Sequence, residues 1–229
     1  VHGRHLELVS RDDQYEPEAA AQNTRYLLFE HRVFALIGAV GTPTSKAAAP
    51  EAVKADTPYI GAFTGAELLR VPYRPEIVNL RASYFQETEA LVAYLSDTLK
   101  KERIGVFFQN DSFGRAGRTG VIQALERRSA QIVSEGSYVR NSIAVKLGLL
   151  DVMAGQPDAV IMIGAYNPLA NFIHWSAKLG FNPTFASISF IGSDAFAKAL
   201  AARPLAEHGK GVIVSQVVPF PTNTKIPLV

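Results

Sequence analysis

Short apolar runs alternate with segments of helical composition along most of this 229-residue chain. The runs at 33–37, 104–108 and 159–163 are each followed by a turn that contains glycine and then by a helical segment. Strands that alternate with helices of about 10 to 15 residues form βαβ units, in which helices cover both faces of a parallel sheet. The sequence therefore predicts an α/β fold.

The strands and helices divide into two sets. A strongly amphipathic helix is predicted over 86–99, and a new cycle of strands and helices begins after it. We therefore predict two lobes: a first lobe over 1–83, a second lobe over 84–217, and a return to the first lobe over 218–229. The helix residues expected to face inward are Leu91, Val92, Leu95 and Leu99.

Composition excludes several classes of protein. The net charge is +2 and acidic residues are interspersed with basic ones, so the chain lacks the basic surface of a nucleic-acid-binding protein. Its apolar runs are much shorter than the roughly 20 residues that span a bilayer. Cysteine is absent, which excludes disulfides and thiolate sites and fits an oxidising compartment. Residues 1–4 do not resemble a signal peptide, so we expect that one was removed or that the chain is a fragment.

Two consecutive strands of the first set end in turns rich in glycine and threonine. The strand at 33–37 leads to Thr42, and the strand at 57–60 leads to Thr64. The carboxyl ends of neighbouring parallel strands lie at one edge of the sheet, where ligands bind. A helix that begins after such a turn also directs backbone N–H groups and a positive dipole end toward an anion. We predict that Thr42 and Thr64 bind a carboxylate or another small anion.

The first of these turns has a second interpretation. Thr44 or Ser45 could simply cap the helix predicted over 46–55. Neither the P-loop motif nor the G-x-G-x-x-G motif occurs in the chain, so the turn is not a nucleotide phosphate site of either kind. The turn alone leaves anion binding and helix capping open.

Aromatic and hydroxyl residues follow strands of the second set. Phe113 and Tyr166 each come just after a predicted strand, and Ser189 occupies the corresponding position after a later one. Such rings often pack in the core. If they faced Thr42 and Thr64 across a cleft, they would instead supply apolar walls around a polar anchor, a common arrangement in small-molecule sites.

Residues with catalytic potential are few. The motifs G-x-S-x-G, H-E-x-x-H and S-x-x-K do not occur, and no histidine lies in a turn that follows a strand. His2 and His5 are expected to be exposed near the N-terminus rather than to bind a metal. Asp111 and Asp194 lie in turns after strands, where helix capping accounts for them. We therefore predict no catalytic residues, no metal and no cofactor; an α/β enzyme using one of these acids is the weaker alternative.

Seven short segments together carry a family resemblance. They are GRHLEL with a following DD at 3–13, ALIG and TPTS at 35–45, FTGAEL at 63–68, DSFG at 111–114, GAYNP at 164–168, SFIGSD at 189–194 and VSQVVP at 214–219. In this order the chain resembles the type I periplasmic substrate-binding proteins of ABC transporters, in the leucine/isoleucine/valine-binding branch. The resemblance covers nearly the whole chain, with family segments expected before residue 1 and after residue 229.

The resemblance implies a fold and a function. The fold would have two lobes, each a mostly parallel sheet flanked by helices. The protein would capture a small carboxylate-bearing ligand, either an amino acid or an aromatic or other organic acid, by hinge closure of its lobes. It would then deliver the ligand to the membrane permease of an ABC importer. We expect a monomer in the periplasm, or a lipid-anchored extracellular protein; a sensor domain of a receptor or regulator with the same fold is the alternative.

The resemblance also implies roles for individual residues. The ligand carboxylate would be held by Gly41, Thr42, Ala62, Phe63 and Thr64. Phe113 and Tyr166 would close over the ligand. Amino-acid binders of the family place an acidic residue near the position of Ser189, to pair with the α-ammonium group. Serine stands here unless Asp194 reaches in, so an organic acid or an amide is also a candidate ligand. Arg81, at the predicted lobe crossing, could bind a ligand carboxylate or act as a structural clamp.

Overall fold

The computed structural model describes residue 3, residues 5–204 and residues 206–219. The chain forms two compact units. The first contains the residues up to Thr64 together with Leu68–Leu80, and the second contains Gly65–Glu67 and the residues from Arg81 onward. Each unit has a parallel sheet of its own with helices, which confirms the α/β class. The lobe boundaries at 83/84 and 217/218 stay predictions, and residues 220–229 of the predicted return lie outside the described residues.

The first unit has a three-stranded sheet in the order β1-β2-β3, with both strand pairs parallel. Its strands are short, and each pairs with its neighbour over two residues. Its elements are α1 (Pro17–Phe29), β1 (Leu36–Ile37), α2 (Thr42–Lys54), β2 (Tyr59–Ile60) and β3 (Ile77–Val78).

The two faces of this sheet differ in burial. Leu36, Tyr59 and Ile77 are aligned across the three strands and pack with residues of α1 and α2 in one buried cluster. The opposite face carries Ile37, Ile60 and Val78, which are also aligned. Ile37 is 71% exposed. The first unit therefore buries one face of its sheet and presents an apolar row on the other.

The loose alternation of residues 2–9 predicts an edge strand at the N-terminus. This prediction is wrong over the residues that the structure describes. Residues 5–9 form no strand, and Leu6 and Leu8 are exposed. An extended segment counts as a strand only when a neighbour pairs with its backbone, and among the described residues β1 pairs with β2 alone. His2 lies outside the described residues.

The second unit has a five-stranded parallel sheet in the order β5-β4-β6-β7-β8. Its helices and strands are α3 (Tyr84–Ala93), β4 (Ile104–Gln109), α4 (Ser112–Glu126), β5 (Glu135–Tyr138), α5 (Lys146–Ala154), β6 (Ala159–Ile163), α6 (Tyr166–Lys178), β7 (Thr184–Ser187), α7 (Ser193–Ala201) and β8 (Ile213–Val214). A π-helical segment (Tyr94–Thr98) extends α3, and 3₁₀ turns lie at Ser189–Ile191 and Ala206–Gly209. The helix predicted over 86–99 is present over 84–98 when its π-helical end is included, and Leu99 is 37% exposed rather than inward.

Both faces of the second sheet are covered. Every residue of β6 is buried. On one face the Phe107 ring stacks on Phe172 of α6, with 4.1 Å between ring centroids. On the other face Gly117 of α4 lies so close to Ile163 that a Cβ would come within 2.8 Å of that side chain. Continuous burial of this kind is what a central parallel strand requires.

Five helices begin earlier than the sequence predicts. The sequence predicts helix starts at 46, 86, 116, 169 and 195, whereas α2 begins at 42, α3 at 84, α4 at 112, α6 at 166 and α7 at 193. The residues interpreted as turns include proline and residues next to an aspartate, which also favour the first turn of a helix. The predicted site residues Thr42, Phe113 and Tyr166 therefore lie in first helical turns.

Candidate functional site

The two Gly/Thr turns of the first unit lie side by side. Val40 and Phe63 form a parallel bridge, which extends the β1–β2 pairing beyond the strands. The hydroxyl oxygens of Thr42 and Thr64 are 2.7 Å apart and share a hydrogen bond in which either can donate. Both side chains are buried. The structure thus confirms that the turns meet at one edge of the sheet, as predicted from parallel pairing.

Gly41 allows α2 to begin directly at Thr42. Its φ of 95° lies in the region that favours glycine, and a Cβ here would come 2.1 Å from the Tyr15 ring. Gly41 is the N-cap and no side chain caps the helix, so the alternative that Thr44 or Ser45 caps it is wrong. The Thr44 hydroxyl instead donates to the backbone carbonyls of Val40 and Gly41.

Three backbone N–H groups in these turns already have acceptors. Those of Gly41, Phe63 and Thr64 donate to the carbonyls of Phe63, Ala39 and Ala62 at 2.7–3.2 Å. The hydroxyls of Thr42 and Thr64 and the start of α2 are therefore stronger candidates for binding an anion than these three N–H groups. Ligand contacts by Gly41, Ala62 and Phe63 stay predictions.

Tyr59 of β2 forms a hydrogen bond with the first turn of α2. Its hydroxyl donates to Ser45 Oγ at 3.1 Å. Burial raises the pKa of Tyr59 to about 12, so the phenol stays protonated and keeps donating well into the alkaline range. This bond fixes the helix start against the strand that leads to Thr64.

The predicted residues of the second unit share one edge of its sheet. Phe113 follows β4, Tyr166 follows β6 and Ser189 follows β7, and these three strands are neighbours. The Phe113 ring is fully buried, with ring centroids 5.4 Å from Tyr84 and 4.3 Å from Phe190. The side chain of Phe113 thus packs in the core of this unit. Tyr166 is 40% exposed. The ligand contacts of both residues stay predictions.

A buried hydrogen-bond chain builds that edge. Asp111 accepts from the N–H groups of Phe113 and Gly114, at 2.9 and 3.2 Å, which confirms the predicted capping role. Its other oxygen accepts from Gln109 Nε2 at 2.6 Å. Since both oxygens of the Asp111 carboxylate accept hydrogen bonds that hold the fold, this acid has a structural role.

The chain continues to the start of α6. The Tyr138 hydroxyl donates to Gln109 Oε1 and accepts from the N–H of Ala165, both at 3.0 Å. Burial raises the pKa of Tyr138, so the phenol remains a donor into the alkaline range as well as at neutral pH. The starts of α4 and α6, which carry Phe113 and Tyr166, are thus connected through one set of side chains. Asp194, in the first turn of α7, is exposed.

A buried ion pair that the sequence did not indicate lies beside Ser189. Glu87 and Arg81 are 3.4 Å apart at their charged atoms, and their side chains are 1% and 6% exposed. Glu87 Oε2 also accepts from the Ser189 N–H at 2.7 Å and from the Ser215 hydroxyl at 2.6 Å. In the sequence Glu87 resembles any acid in the first turn of an amphipathic helix. Only Arg81 among these partners is close in the chain, and the other two are 102 and 128 positions away, so no local pattern could have identified the role of Glu87.

The described residues contain neither a cluster of metal-binding side chains nor a helix able to span a membrane. No group of three or more His, Cys, Asp or Glu side chains is arranged to hold a metal ion in that part of the chain. Within the same residues, no helix combines the length and the apolar character needed to cross a membrane.

The family is decided by comparison with known proteins. A family model described as "Periplasmic binding protein" matches residues 1–225. The chain belongs to the periplasmic binding protein family. Its α/β fold is the type I fold of that family, as the sequence predicted. Among curated proteins, none matches the chain.

Solved structures of this family are similar to the chain. A possible leucine/isoleucine/valine-binding protein from Rhodopirellula baltica is 40% identical, with a TM-score of 0.86 over 94% of this chain and 58% of its own. A substrate-binding periplasmic protein from Ralstonia solanacearum is 25% identical, with a TM-score of 0.85 over 98% of this chain and 62% of its own. The chain therefore spans about three fifths of the length of these structures.

A more distant structure has a bound amino acid. It is the branched-chain amino acid transporter substrate-binding protein from Streptococcus pneumoniae in complex with isoleucine, 19% identical to this chain. Its TM-score is 0.77 over 98% of this chain and 64% of its own. At this identity the likeness concerns the fold.

Proposed function

We propose that the protein is the solute-binding component of an ABC importer and captures a small carboxylate-bearing ligand by hinge closure of two lobes. Membership of the periplasmic binding protein family supports this function, as does the 40% identity to a possible leucine/isoleucine/valine-binding protein. The protein works in the periplasm, or as a lipid-anchored extracellular protein, and passes its ligand to a membrane permease. It is a monomer and not an enzyme.

The paired hydroxyls of Thr42 and Thr64 are the observation that carries this proposal. Two neighbouring strands and the start of α2 bring them within 2.7 Å of each other. Since one hydroxyl donates to the other, the pair keeps one hydroxyl hydrogen that can be donated to a carboxylate, and the dipole of the helix N-terminus favours the negative charge.

A binding screen followed by substitution tests the proposal. The complete natural polypeptide is screened by thermal shift against amino acids, aromatic acids, short-chain acids and amides, and hits are measured by calorimetry. For a carboxylate hit, Thr42→Ala and Thr64→Ala should each weaken binding by about 1–3 kcal/mol, the range for hydrogen bonds to a charged group. The double variant should lose less than the sum, because the hydroxyls bond to each other.

Thr57→Ala is the matched control. Thr57 is also a largely buried threonine of the first unit, but it precedes β2 and its hydroxyl donates to the Ala55 carbonyl. It should leave the affinity unchanged. If both Thr42→Ala and Thr64→Ala, folded as judged by their melting curves, bind the ligand as tightly as the parent protein, the proposed anchor is misplaced. A screen without any hit would refute solute binding.

A further inference from the structure

Ser189 is held in a fixed hydrogen-bonding state by buried charges. Its hydroxyl oxygen accepts a hydrogen bond from the Arg81 guanidinium, and its backbone N–H donates to Glu87 at 2.7 Å. Ser189 is partly exposed, whereas the charged side chains behind it are buried. Ser189 is thus the partly exposed member of this hydrogen-bond network, whereas the charged side chains of Arg81 and Glu87 are buried.

The acceptor capacity of this network is largely used. A serine hydroxyl has one donor hydrogen and two acceptor lone pairs. Arg81 occupies one lone pair of Ser189, so the hydroxyl is biased toward donating its own hydrogen. The two oxygens of Glu87 serve Arg81, the Ser189 N–H and the Ser215 hydroxyl, and its side chain is 1% exposed. The carboxylate is therefore not accessible to a ligand cation.

A ligand ammonium group beside Ser189 would be poorly stabilised. It needs several acceptors, but here it would find only the remaining lone pair of a neutral hydroxyl and would lie near the positive guanidinium of Arg81. Burying a charge without a partner is strongly unfavourable. A carbonyl or hydroxyl oxygen at the same place would instead accept the Ser189 hydrogen.

We propose that Ser189, set as a hydrogen-bond donor by Arg81 and Glu87, selects carboxylate ligands that carry an oxygen rather than an ammonium group next to the carboxylate. The ligand class is 2-oxo acids and the related 2-hydroxy acids. This proposal rests on the proposed function, because it takes Ser189 to contact the ligand.

Matched ligand pairs test the proposal without any substitution. Calorimetry on the complete natural polypeptide compares amino acids with 2-oxo acids of the same side chain: alanine with pyruvate, leucine with 4-methyl-2-oxopentanoate, phenylalanine with phenylpyruvate and glutamate with 2-oxoglutarate. The 2-oxo acid of the best-fitting side chain should bind at least about tenfold more tightly than its amino acid. Equal binding, or tighter binding of the amino acid, would overturn the selection while leaving solute binding intact.

Failure of the two proposals can be told apart. If none of the pairs binds but another compound of the wider screen does, the ligand class is wrong and solute binding stands. If the wider screen is also negative, both proposals fail.

Substitutions test whether the selectivity depends on Ser189 and on the charges of Arg81 and Glu87. Ser189→Ala should weaken the 2-oxo acid by about fivefold or more, whereas Ser142→Ala, in a loop of the same unit, should not. Arg81→Gln combined with Glu87→Gln removes both charges, so neither is left buried alone. In that variant the affinity ratio of 2-oxo acid to amino acid should fall about threefold or more. A general loss of stability would not change this ratio, and an unchanged ratio in the folded variant would overturn the role of the pair.

Discussion

The strands of the first unit pair over two residues each, whereas β4 and β6 of the second unit have six and five residues. The first sheet buries Leu36 on one face and exposes Ile37 on the other, while every residue of β6 is buried. Both units follow the same strand–helix alternation in sequence. The comparison shows that this alternation specifies parallel pairing, but that the length of the strands and the helices that cover them decide how much core results.

The buried charges should show the largest difference between the units. Glu87→Ala leaves Arg81 buried without its carboxylate, and we expect a loss of about 3–5 kcal/mol in the free energy of unfolding. Glu51→Ala removes the carboxylate paired with Arg25 in the first unit, where the arginine is half exposed, and should cost about 1 kcal/mol or less. Denaturant unfolding measures both. If Glu87→Ala and Glu51→Ala lowered the free energy of unfolding by similar amounts, burial would not determine how much each ion pair contributes to stability.

Substitutions of two isoleucines compare how much each sheet contributes to stability. Ile161→Ala empties space at the centre of β6 and should destabilise the protein by about 2–5 kcal/mol. Ile37→Ala, on the exposed face of the first sheet, should stay within about 0.5 kcal/mol of the parent protein. Denaturant midpoints at unchanged slope provide the measurement. A large loss for Ile37→Ala would mean that this face is covered in solution.

The ionisation of the buried Tyr59 should have a smaller effect on the free energy of unfolding, at alkaline pH. Burial raises the pKa of Tyr59 to about 12 from 10.0, so between these pH values the folded protein keeps a proton that the unfolded chain releases. The resulting stability is complete below about pH 10 and is lost as the pH rises through 12, in total about 2–3 kcal/mol. Tyr59→Phe should flatten this decline in unfolding free energy.

Tyr73→Phe is the control for that titration. Tyr73 lies in the same unit but is exposed, so the decline between pH 10 and 12 should match that of the parent protein. Comparing the two variants removes every contribution to the alkaline decline that they share. If Tyr59→Phe and Tyr73→Phe give the same profile, Tyr59 does not contribute to the alkaline loss of stability.

Much of the fold followed from sequence patterns. The apolar run 159–163 predicted β6 with its observed bounds, because a fully buried parallel strand is apolar throughout. Parallel pairing predicted that the turns bearing Thr42 and Thr64 would meet, as their 2.7 Å contact confirms. Helices begin earlier than the sequence predicts, because prolines and polar residues of a first helical turn resemble those of a loop.

The sequence by itself determined the alternation of strands and helices, and hence the parallel sheets and the position of each candidate residue after a strand. Tertiary structure alone decided which side chains meet: the Phe113 ring packs between Tyr84 and Phe190, and Glu87 joins Ser189 and Ser215. The physical reason is the range of the interactions. Hydrophobic periodicity and turn chemistry act among residues close in the chain, whereas a buried carboxylate needs donors from whichever distant segments the packed core brings to it.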